Sequence, residues 1–102
     1  MSNPQDMSEG QQLRCAALTS IYMERIISGA IQRDSSVKTD PLVGTMTYVG
    51  AYGIGKGLSE KEAFADVERE KQRLLAELGT EEIEKEAISC LENVNWERGG
   101  GT

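Results

Sequence analysis

The sequence predicts an all-α fold, a small antiparallel bundle of three to four helices. Three observations carry that prediction. Apolar residues recur at helical spacing from Leu13 to Ile31. A capping box, Ser59-x-x-Glu62, stands ahead of a second apolar stripe. Gly79-Thr80 then separates that stripe from a third, which opens on Glu81, Glu82 and Glu84.

Taken in order, residues 1–9 are polar and without periodicity, and read as a flexible N-terminal arm. Residues 10–97 form a single helical domain, and 98–102 a flexible glycine tail. From about Gly10 to Arg33 a helix is expected. Leu13, Ala16, Ala17, Ile21, Ile27 and Ile31 form its stripe, with Leu18, Tyr22, Ile26 and Ala30 beside them. That arc is wider than a one-sided surface helix needs, so the helix belongs in the centre of the bundle or under a partner chain.

Residues 34–40 read as a polar loop. Asp40-Pro41 then reads as an N-cap followed by proline at the first helical position. Residues 42–57 are ambiguous. Val43, Thr45, Thr47 and Val49 favour a strand. The Asp-Pro start and the Gly57 stop favour a helix, which is the preferred reading, with an extended segment as the alternative. Glycines at 44, 50, 53, 55 and 57 weaken either choice, by roughly 1 kcal/mol each relative to Ala inside a helix. A glycine-bearing helix makes sense where another backbone approaches closely, and Thr47, Ala51 and Gly55 give it one small-residue face.

After the capping box a helix is expected over about 60–78. Its stripe is Phe64, Val67, Leu74, Leu75 and Leu78, interrupted by Lys71. Opposite charges recur three apart on it, Asp66 with Arg69, Glu68 with Lys71 and Glu70 with Arg73. Gly79 closes it and Thr80 opens the last helix, whose stripe is Ile83, Ala87, Ile88, Leu91 and Val94. Trp96 follows, either as a plug over that helix or as an exposed interface anchor.

Composition excludes several functions. The chain has 102 residues, is 38% hydrophobic, and carries a net charge of −6 with no histidine. A histidine base, a histidine-ligated metal and a di-iron Glu-x-x-His bundle are all impossible. No basic footprint points to nucleic acid. The longest uncharged stretch, Pro41–Gly55, falls short of the roughly 20 residues that span a bilayer, so no membrane contact is expected. Charge is also unevenly placed. Residues 1–59 carry five acids (Asp6, Glu9, Glu24, Asp34, Asp40) and five bases (Arg14, Arg25, Arg33, Lys38, Lys56), so the whole of the net negative charge lies beyond them.

The start is polar and has no leader-like segment, so the expected location is the cytoplasm. Cys15 and Cys90 are then expected as small buried thiols. Their pairing, or a nucleophilic role for Cys15 near a helix start, are the less favoured alternatives.

Gly50 to Lys56 satisfies the GxxxxGK part of a phosphate-binding loop. It fails at Gly57, where a serine or threonine is required, and no parallel sheet is predicted around it. A weaker ligand reading survives on Tyr48, Tyr52, Gly53, Gly55 and Lys56: glycine amides beside a lysine could hold an anion, and a tyrosine could stack on a base. The carboxylate pairs Glu60/Glu62, Glu81/Glu82 and Glu84/Glu86 lie on strongly charged helices and read as solvated, so no catalytic residues and no cofactor are expected.

The preferred function is a non-enzymatic protein-interaction module, a regulator, adaptor or inhibitor. The first helix and residues 42–57 would build a homo-oligomer. The last two helices would offer an acidic face, with Glu68, Glu77, Glu81, Glu82, Glu86 and Trp96, to a protein partner with a basic surface. The alternative is a small-ligand or nucleotide binder at residues 50–57.

Overall fold

A computed structural model describes residues 6–100, with side chains up to Val94. The fold is the expected all-α bundle: α1 (Glu9–Ile27), α2 (Pro41–Lys56), α3 (Glu60–Glu77) and α4 (Thr80–Gly100). The arm expected over 1–9 lies mostly outside the described residues. The backbone of α4 is helical to Gly100, past Arg98, where the sequence predicts the start of a glycine tail.

Helix α1 opens on Ser8, whose hydroxyl accepts from the Gln11 amide. It ends at Ile27, well short of Arg33, because Gly29 takes a left-handed conformation with φ 82°. The Gly29 amide donates to the Ile26 carbonyl and the Ala30 amide to that of Arg25, a Schellman closure. Ile27, expected in the core stripe, is therefore 76% exposed.

The loop that follows is less polar in its packing than in its composition. Val37 is buried in the core. Tyr22 Oη accepts from the Asp34 amide, and Arg33 donates to the carbonyls of Val37 and Thr39.

Residues 41–56 are helical, so the extended alternative is set aside. Asp40 accepts from the Leu42 amide, Pro41 occupies the first turn, and Gly57 closes the helix at φ 69°. These end signals, with tertiary packing, prevail over the β-branched residues between them. At Gly44 an added Cβ would lie 2.3 Å from Leu91 Cδ2 on α4, and at Gly53 it would lie 3.3 Å from Ala63 on α3. Close approach within the chain explains these two glycines.

The Ser59–Glu62 capping box forms as expected, both of its bonds present. Its hydrogen bonds to Ser59 hold the Glu62 carboxyl below the usual range. The boundary before α4 differs in detail. Leu78, in extended conformation, ends α3, and Thr80 opens α4 as expected; Gly79 caps it, its carbonyl accepting from the Ile83 amide and its own amide donating to Glu82 Oε1.

Helix α1 is central. It packs against all three other helices, whereas α3 and α4 make few contacts with each other. Its buried run from Cys15 to Tyr22 meets Tyr48, Val49 and Tyr52 of α2, Val67 and Leu74 of α3, and Ile83, Ala87 and Leu91 of α4. Its own chain thus covers the Cys15–Tyr22 part of its apolar arc, while Ile27 beyond it stays exposed.

Most polar groups inside this core are paired; among the described residues the buried Thr39 hydroxyl has no partner. Thr45 donates to Thr19, which donates to the Cys15 carbonyl, and Tyr48 Oη donates to the Cys90 carbonyl at 2.6 Å. Lys71, which interrupts the α3 stripe, is only 4% exposed. Its stem lies in the interior and its ammonium reaches Glu24 at 2.9 Å and Glu68 at 3.1 Å. Burial pulls its pKa down, but the two carboxylates outweigh that and leave it above the usual lysine value.

Cys15 and Cys90 form a disulfide that ties α1 to α4, with their Cα atoms 5.7 Å apart. This corrects the expectation of two separate buried thiols. Central α1 and the Ile83–Leu91–Val94 stripe bring the two positions together, a juxtaposition that no local spacing announces. It also removes the nucleophilic reading of Cys15, because neither sulfur is free.

Candidate functional site

The five residues of the ligand reading are not gathered around a cavity. Gly50 to Lys56 belongs to a helix rather than to a loop of open amides. Tyr48 is fully buried with its hydroxyl on Cys90, so its ring meets no solvent. Tyr52 is 4% exposed and donates to Asp66 Oδ2 at 2.6 Å. Burial and that bond push its pKa up to about 12. Gly53 faces Ala63, and Gly55 has Gln12 Oε1 at 3.9 Å from its would-be Cβ. Lys56 is exposed, with its ammonium 5.7 Å from the Tyr52 ring centroid, and serves that ring as a cation–π partner. No group of three or more acidic or cysteine side chains able to hold a metal occurs among the described residues.

Most of the acidic face is committed internally. Glu68 binds Lys71, Glu77 binds Arg73, Glu82 caps Gly79, and Glu86 makes a two-oxygen contact with Arg14 across α1 and α4. Arg69 also pairs with Asp66, and Arg73 with Glu70. Glu81 is exposed. The Trp96 side chain lies outside the described residues. Glu68 and Glu77 lie on α3 and Glu81, Glu82 and Glu86 on α4, two helices with few contacts between them, and several of these charges are already matched by lysine or arginine.

The outer side of α2 is different. Leu42 is 53% exposed, Met46 44% and Ile54 83%, with Gly50 open between them and Val43 alongside. These four-spaced positions form one seam that winds gradually around the helix. At Gly50 an added Cβ would meet nothing within 4 Å, so its own fold gives no reason for a glycine there. A cleft of about 190 Å³ runs beside the seam, lined among others by Met46, Gly50, Ile54, Leu58 and Ala63. From Pro41 to Gly55 the helix carries no charge at all. The sequence shows this segment as apolar and glycine-rich, but not which of its faces points outward.

Comparison with known protein families, curated proteins and solved structures finds no match for the chain. Among the described residues no helix is long and apolar enough to cross a membrane.

Proposed function

We propose that this protein is a non-enzymatic interaction module that associates with itself through the exposed side of α2 and offers the acidic α3–α4 surface to a protein partner with basic character. The observation that carries the reading is the segregation of the two surfaces. An uncharged seam with Ile54 83% exposed stands on one helix, while the whole net charge of −6 arises beyond residue 59. An apolar seam of that kind on a small protein supports association. The acidic surface supports steering toward a basic partner, and the roles that fit it are regulator, adaptor or inhibitor.

Helix α1 contributes less to this association, since the Cys15–Tyr22 part of its apolar arc is used within the bundle and only its C-terminal end, at Ile27, is exposed near Leu42. The Cys15–Cys90 bond favours a compartment where thiols are oxidised over the cytoplasm, because such bonds persist there.

Native mass spectrometry of the full chain at micromolar concentration tests the reading. A defined multiple of the 11.2 kDa chain is expected. A monomer at all concentrations up to about 100 μM, well above the Kd of a specific interface, removes self-association from the proposal.

A further inference from the structure

The seam on α2 has a symmetry of its own. Moving outward from Gly50 in either direction, the next residue at helical spacing is large and apolar: Met46 on one side, Ile54 on the other. The next again is Leu42 on one side, and on the other Leu58, just past the helix end and lining the same cleft. A two-fold interface must be self-complementary, with residue i against residue j and j against i. This sequence of sizes meets that condition when two α2 helices run antiparallel and cross at Gly50. Met46 of one copy then lies against Ile54 of the other, twice over.

Two further observations favour that arrangement. Gly50 lowers helix stability and packs against nothing in its own chain, yet a glycine at a crossing point lets two backbones approach closely. Electrostatics also distinguishes the orientations. A parallel pair would align the two helix dipoles, whereas an antiparallel pair sets them head to tail.

Resting on the self-association proposed above, we propose that two copies of this chain pair antiparallel through the outer faces of α2, about a two-fold axis at Gly50.

Complementary charge variants test this. Met46→Lys and Ile54→Glu, each alone, bury an unpaired charge at the seam and are expected to weaken the dimer by roughly a hundredfold or more. Both positions are exposed in the single chain, so the helical circular dichroism should stay unchanged. An equimolar mixture of the two variants should dimerise again, because only the antiparallel register sets the introduced lysine of one copy against the introduced glutamate of the other. Gly50→Leu raises helix propensity and should give a well-folded monomer. Light scattering after size exclusion reads every sample. If the wild type is oligomeric and the single variants remain so, self-association stands and this pairing falls. If the single variants are monomeric but their mixture stays monomeric too, the antiparallel register is overturned. A Gly50→Leu protein that still dimerises overturns the crossing at Gly50. A wild type that is monomeric throughout overturns both proposals.

Discussion

Tyr52 shows how much one side chain of this bundle depends on protonation. Its hydroxyl is a donor to Asp66, so only the neutral phenol fits the site, and its pKa rises from 10.0 to about 12. A group whose folded pKa is raised adds stability that is complete below the unfolded value and disappears as pH climbs through the folded one. The wild type should therefore exceed Tyr52→Phe in stability by a constant margin below pH 10 and lose that margin between pH 10 and about 12. Urea unfolding midpoints of both proteins across that range measure it; a margin independent of pH would contradict the burial and the Asp66 bond that together raise the Tyr52 pKa. Neither this bond nor the Lys71 triad was legible in the sequence. The i,i+3 partner Glu68 was visible, but Glu24 is 47 positions away and reaches Lys71 only after α1 has packed on α3.

At the scale of elements, the ends of helices were the most readable feature, because caps are local chemistry. Asp40-Pro41, Gly57 and Ser59–Glu62 all act as their residue types dictate. The end of α1 was misplaced because its apolar periodicity continues past Gly29, although the left-handed residue there stops the helix. The extended alternative for α2 disappears once packing on α1 rewards a helix. The disulfide between α1 and α4 was not legible, since it depends on which helices become neighbours. It closes a loop with a sequence separation of 75, and the loss of unfolded-chain entropy for a loop of that length contributes roughly 4 kcal/mol. Reduction should therefore lower the melting temperature by more than about 10 °C. A Cys15→Ala, Cys90→Ala double variant should melt near the reduced protein and be indifferent to reductant. Equal melting temperatures with and without reductant would mean that the bond is not formed in solution.

For the molecule as a whole, the two surfaces respond oppositely to salt. Pairing two copies through α2 brings together bodies that each carry −6, so their mutual repulsion opposes an association driven by apolar contact. Raising salt from about 20 mM to 500 mM shortens the screening length several-fold and should strengthen the dimer. Binding of the acidic surface to a basic partner should weaken over the same range. Sedimentation equilibrium at the two salt concentrations gives the sign for self-association, and a dimer that weakens in high salt would point to charge pairing instead of the α2 seam. The sequence already held the ingredients of this contrast, an uncharged stretch and an acidic half, but only the packing decides that the first turns an apolar side outward. The bond between Cys15 and Cys90 has a mechanical consequence as well. Tension applied near residues 6 and 94 passes from α1 into α4 through one pair of sulfur atoms. About 260 Å of extended chain stays hidden behind that bond until it is reduced. Helices α2 and α3 lie inside the hidden loop, so a pull on the ends leaves unloaded the very helix that would hold two copies together.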